Sequence, residues 1–272
     1  MRLRWAAALG LLAAGVLVAV ALRDRTPVRS EYCVAEVGDV RAQVDLEQAQ
    51  WSALMAAIAQ KRGLPPRATT IAIATAFQES KIHNIDYGDR DSLGLFQQRP
   101  SQGWGTPDQI LRPSYAIGKF YDGLVKVRGY ETMQITDAAQ KVQRSAHPGA
   151  YAQHEDYARA LASSLRGYSP GRFHCVVNPG DTGSAKAAAD DLQRAFGLEA
   201  AVEGDDLRLR LIGDASDVEA RGWAAAHYLV ANAKRLGLTE VRFDDRVWTA
   251  EDSDQGWTSG TASSATVVAS TN

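Results

Sequence analysis

The sequence predicts an α+β fold: a mainly α domain over residues 33–175, then a small α+β domain over 184–250, behind an N-terminal transmembrane helix. Three observations predict it. Apolar residues recur at helical spacing through most of 41–166. After the linker-like VVNPGDTGSAK (176–186), short strand-like runs alternate with helical stretches. Two cysteines, Cys33 and Cys175, stand at the edges of the first region.

The chain has 272 residues, 45% of them hydrophobic and 23% charged, which is a globular and not a disordered balance. The formal charge of −2 gives no overall sign of a nucleic-acid partner. Residues 1–25, MRLRWAAALGLLAAGVLVAVALRDR, read as a membrane anchor or a signal peptide. Arg2 and Arg4 precede an uncharged apolar run from Trp5 to Leu22, and Arg23 and Arg25 close it. The run is long for a signal peptide and just long enough to span hydrocarbon. Ala19-Val20-Ala21 also fits a cleavage site, which would leave a secreted chain. Either way the remainder is extracytoplasmic. There Cys33 and Cys175 read most simply as a disulfide, the alternative being two buried thiols. Such a bridge closes a large loop and stabilises through chain entropy.

Residues 23–32 form a polar stalk. A helix over 41–62 stops at Gly63, and Pro65 and Pro66 open a second that runs to about Ser80. Residues 83–107 are rich in Gly, Asp, Asn and Pro, so loops and a short hairpin are expected. Helical patterns return at 113–127, 136–145 and 151–166. In the second domain a helix at 184–196 precedes strands near 199–203 and 207–212, a long helix at 216–236 and a strand at 240–244. Residues 251–272, rich in Ser, Thr and Ala, read as a disordered tail. Residues 31–183 are charge-balanced, with 16 Lys/Arg against 16 Asp/Glu. Residues 184–254 carry 9 against 15, a net −6.

The most chemically suggestive residue is Glu79, at the end of ATTIAIATAFQES. A carboxylate there opposes the helix dipole and follows an apolar run, both of which disfavour its charge. A carboxyl that carries its proton is what a general acid needs. The plain alternative is a surface Glu pairing with His83 one turn on.

The stretch ESKIHNIDYGDRDSLGLFQQRP (79–100) resembles the soluble lytic transglycosylases of the lysozyme-like superfamily. That family carries Glu-Ser at a helix end, then G-L-M-Q and a nearby proline. Here Gly94, Leu95, Phe96 and Gln97 stand in for G-L-M-Q, Gln97 falls at the family's offset of 18 from Glu79, and Pro100 follows. Gly88-Asp89-Arg90 resembles the G-D-R segment of goose-type lysozymes, one residue shifted. The resemblance covers roughly 48–165, and SYAIGKFYDGL (114–124) matches the family's next helix. Phe96 replaces Met, and the family's A-Y-N-A-G motif is missing, with Lys141–Ser145 in its place. Gln143 is a candidate for the lost amide, and Tyr151 or Tyr157 for the hydroxyl.

The resemblance implies a cell-wall glycan-cleaving enzyme acting on the bond between N-acetylmuramic acid and N-acetylglucosamine of peptidoglycan, with Glu79 as general acid and base. In a hydrolase a second carboxylate positions water, and Asp89 and Asp91 are the candidates, against a turn-capping role. Ser80 would orient Glu79, Gln97 would bond the sugar, and Trp104 and, more weakly, Tyr87 would stack on it. The partners are peptidoglycan strands and the membrane. No cofactor is implied: the histidines show no metal-ligand spacing, and no G-x-S-x-G or P-loop pattern occurs. A reading from a different class is a silent lysozyme-like module that binds glycan or scaffolds the envelope. Residues 222–248 weakly resemble a C-terminal domain of exported bacterial wall proteins that looks like a zinc peptidase without its metal ligands. This implies an accessory domain with Arg246 and Trp248 at its surface, or packed within it.

Overall fold

The computed structural model describes residues 29–144, 149–178, 180 and 182–272. The expected N-terminal membrane helix lies outside the described residues. Among those described, no helix is long and apolar enough to cross a membrane. Glu31–Asn272 form one compact unit.

The chain opens with a hairpin, β1 (Tyr32–Val37) and β2 (Val40–Val44). Residues 41–44 were expected in the first helix and are strand instead. Ala42 and Val44 face the core while Arg41 and Gln43 face solvent, so the apolar period is 2. The helix α1 (Leu46–Lys61) starts only after Asp45. Asp45 accepts from the Gln48 backbone N–H at 2.9 Å, and Gln48 Oε1 accepts from the Asp45 N–H at 2.9 Å. This capping box satisfies two donors that a longer helix would have used otherwise.

Helix α2 (Pro66–Ser80) has the expected bounds, with proline in its first turn. It ends without glycine: Lys81 and Ile82 both take left-handed φ, 55° and 60°. Their N–H groups close on Phe77 O and Ala76 O. Next come α3 (Pro107–Ile110), α4 (Pro113–Leu124), α5 (Ile135–Gln143) and α6 (Glu155–Leu165). Then β3 (Phe173–Val176) returns to pair with β1, giving a sheet of order β2-β1-β3. Cys33 and Cys175 are register partners in that sheet and form the expected disulfide, with Cα atoms 3.9 Å apart.

The second half contains α7 (Ala185–Phe196), β4 (Ala201–Glu203), β5 (Asp206–Arg210), α8 (Ala215–Ala231), α9 (Ala233–Leu236), β6 (Leu238–Phe243), β7 (Arg246–Thr249), β8 (Thr258–Ser259) and β9 (Thr266–Thr271). The molecule is thus mixed α and β, as predicted. The sheet is antiparallel throughout, in the order β4-β5-β9-β6-β7-β8. The expected disordered tail is corrected here: β9 sits between β5 and β6. Val267, Ala269 and Thr271 are buried on alternate positions, a six-residue pattern that Ser/Thr/Ala-rich composition hides.

The two expected domains share one core. Helix α1 packs on α6, α7 and α8. β3 is an edge strand, and its free carbonyls are taken from the second half. Trp248 Nε1 donates to Cys175 O at 3.0 Å, and Trp257 Nε1 donates to Phe173 O at 2.7 Å. Trp248 is therefore a fully buried packing residue, not a surface one. Arg246 is half-exposed.

Candidate active site

Glu79 lies on the last turn of α2, half-buried. The Tyr151 hydroxyl donates to its Oε1 at 2.7 Å, and Tyr151 itself is fully buried. The segment after Tyr151 is clamped to the same helix end. Gln78 Oε1 accepts from Gln153 Nε2 at 3.1 Å and lies 3.0 Å from His154 Nε2, and the His154 ring stacks on Phe77. His83 turns away from Glu79. Its Nδ1 lies 3.0 Å from Glu47 Oε2 and its Nε2 lies 3.4 Å from Asp45 Oδ2.

Ser80 joins the helix end to the G-L-F-Q loop: its hydroxyl donates to Leu95 O at 2.8 Å and lies 3.1 Å from Ala76 O. Gln143 secures the next residue, Nε2 donating to Phe96 O at 2.7 Å. The Phe96 ring is buried and stacks on Phe120 with centroids 4.4 Å apart. Gly94 has φ +72°, and a Cβ there would lie 3.1 Å from Ile110 O, so only glycine fits this turn without strain. The expected hairpin is reduced to one bridge, Leu93 to Gln98.

The remaining predicted residues are dispersed around this centre. Gln97 folds back on its own loop, Nε2 donating to Tyr87 O at 3.2 Å and Gly94 O at 3.3 Å. A Cβ on Gly88 would lie 1.9 Å from Gln97 Oε1. Tyr87 is exposed. Asp89 projects into solvent with a side chain 91% exposed. Asp91 is bound within the loop: Ser101 N–H donates to Oδ2 at 2.8 Å and Arg99 Nε to Oδ1 at 2.7 Å. Ser101, through its hydroxyl and N–H, and then Arg99 hold the Asp91 carboxyl well below the usual carboxylate range. Neither Asp touches Glu79.

Trp104, half-buried, borders a groove of about 670 Å³ with Gln143, Gly123, Val142, Lys126, Lys141 and Arg144. Of these, sequence reasoning had not marked Lys126; only spatial convergence of α4 and α5 signals it. Among the described residues no group of three or more His, Cys, Asp or Glu is placed to hold one metal ion.

The family model described as VldE, C-terminal domain, matches residues 209–266. The match falls on the second half, from the end of β5 to the start of β9, and leaves the Glu79 region uncovered. No curated protein matches the chain.

Proposed function

We propose that the protein cleaves peptidoglycan strands between N-acetylmuramic acid and N-acetylglucosamine, as a lytic transglycosylase with Glu79 as its acid and base. The observation that carries this reading is the Tyr151 hydroxyl on Glu79 Oε1. A carboxyl at a helix end is common; one held by a buried hydroxyl donor from 72 residues away, beside a loop tied to the next residue, is a positioned group. Glu79 would protonate the departing O4 as the bond from the muramic C1 breaks, then accept the proton of that sugar's C6 hydroxyl as O6 bonds to C1. The proton passes from O6 to O4 and no water is consumed.

Asp91 is engaged by Ser101 and Arg99, and Asp89 is in open solvent. Neither is placed to hold a water for hydrolysis, which favours the transglycosylase over the muramidase outcome. With this reading goes an extracytoplasmic location, anchored at the membrane by residues 1–25 or released from it. The buried Cys33–Cys175 bridge suits an oxidising compartment.

Digestion of purified peptidoglycan tests the reading. Wild type should release muropeptides with 1,6-anhydro ends, and Glu79→Gln should release only background. Equal background from both would leave the silent glycan-binding alternative.

A further inference from the structure

The groove bordered by Trp104 and Gln143 carries a marked charge. Its lining includes three cations, Lys126, Lys141 and Arg144, and no acid. Among the described residues none of the three has a carboxylate partner, whereas most other lysines and arginines of the unit do, for example Arg62 with Asp122 and Arg99 with Asp91. The floor is apolar: a Cβ on Gly123 would lie 3.1 Å from Val142 Cγ1 and 3.8 Å from Trp104 Cη2. The glycine therefore keeps the indole and Val142 open to the groove. Gln143 joins it to the candidate active site, because its amide holds Phe96 O beside the Leu95 O that Ser80 holds.

An aromatic face with three unpaired cations is the chemistry of a sugar that carries carboxylates. We propose that this groove binds the free carboxylates of the peptide attached to muramic acid, so that Lys126, Lys141 and Arg144 select acidic, peptide-bearing strands over neutral amino-sugar polymers. The proposal rests on the reading of Glu79 as a glycan-cleaving acid. Its contacts are exposed and screened by salt, so it acts on capture and specificity more than on the bond-breaking step.

The test uses the full-length protein and insoluble sacculi stripped of wall phosphate polymers. Binding is read by co-sedimentation at low salt, and cleavage is read by muropeptide release. Lys126→Gln/Lys141→Gln/Arg144→Gln should bind about tenfold more weakly than wild type, the sum of three exposed charge contacts. Sacculi whose carboxylates have been converted to amides should bind wild type as weakly as native sacculi bind the triple variant. Equal binding to native and amidated sacculi would overturn the proposal, as would wild-type binding by a folded triple variant, checked by its thermal melt. Loss of binding on stripping the phosphate polymers would also overturn it, since phosphate would then be the ligand. Charge-dependent binding without product release would uphold the groove and refute Glu79 catalysis. Equal cleavage of native and amidated sacculi would do the reverse.

Discussion

The hydroxyl of Tyr151 meets Oε1 of Glu79 at 2.7 Å, a bond that spans 72 residues of sequence. Tyr151 is fully buried, so its ring fixes where the donor stands. Tyr151→Phe keeps the ring and removes the donor. A hydrogen bond of this kind contributes about 1 kcal/mol, so the rate of muropeptide release should fall roughly fivefold. The KM and the melting temperature should stay close to wild type. A variant as fast as wild type, in an assay where Glu79→Gln is inactive, would remove Tyr151 from the site.

Much of the helical frame could be read in the sequence because its boundaries carry local signals. Pro65-Pro66 opens α2, and the long apolar face of 66–80 continues to Ser80. The hairpin β1–β2 and the strand β9 were missed for one reason. Strands of five or six residues give too few periods to outvote a neighbouring helix or a polar composition, and their partners are distant in sequence. The spacing to Gln97 marks Glu79 as a candidate. Its brace could be narrowed only to two tyrosines, because the bond spans 72 residues and no local rule predicts it. Gln97 and Asp91 are engaged within their own loop, Gln97 by Tyr87 O and Asp91 by the Ser101 N–H and Arg99 Nε, contacts that no local spacing rule signals.

Ser80 and Gln143 hold adjacent carbonyls, Leu95 O and Phe96 O. Ser80→Ala should destabilise by about 1 kcal/mol, since it frees a buried carbonyl. Gln143→Ala should do the same. The two act on one short loop, so the double variant should depart from additivity by at least about 0.5 kcal/mol. Denaturant unfolding of the four proteins measures the coupling. Strict additivity would mean that the loop is held by other contacts.

The Cys33–Cys175 bridge closes a sequence separation of 142. In the chain-entropy account a loop of that length contributes about 5 kcal/mol by restricting the unfolded chain. Cys33→Ala/Cys175→Ala should therefore lower the denaturation midpoint strongly, and reductant should lower the wild-type midpoint to a similar value. The double variant should not respond to reductant. A wild-type midpoint unmoved by full reduction would show that the three-stranded sheet holds without the bridge.

β9 pairs on both sides, with β5 and β6, and buries Val267 fully. Val267→Asp places a carboxylate in that layer and should cost at least about 3 kcal/mol. Removal of residues 265–272 should expose two strand edges and give insoluble protein. The contrasting control is Thr261→Asp, an exposed loop position, expected to change stability by less than about 0.5 kcal/mol. Soluble, cooperatively folding truncated protein would contradict the central placement of β9.

His227 should make stability depend on pH. It is fully buried among Trp223, Trp257 and Phe173, with Nδ1 2.7 Å from Ser164 O. Burial pushes its pKa down to about 4; the Ser164 carbonyl opposes this and His174 adds to it. In the unfolded chain the ring takes its proton near 6.5. Between those values the unfolded state binds the extra proton, so the stabilisation is complete above pH 6.5 and is lost as pH falls towards 4. The loss should reach about 3 kcal/mol by pH 4. His154 and His174 are also lowered by burial and add to the slope in the same direction. The lowered carboxyls of Glu31, Glu47 and Asp191 lose their contribution only as pH falls below the ordinary carboxylate range. Unfolding measured from pH 7.5 to 4.5 therefore reports the histidines. His227→Phe keeps an aromatic ring there and removes one of two partners of Ser164 O, which still accepts from the Gly167 N–H at 2.9 Å, a small cost independent of pH. Its stability should be lower throughout but distinctly flatter across that range, and a slope equal to wild type would assign the pH dependence to other groups.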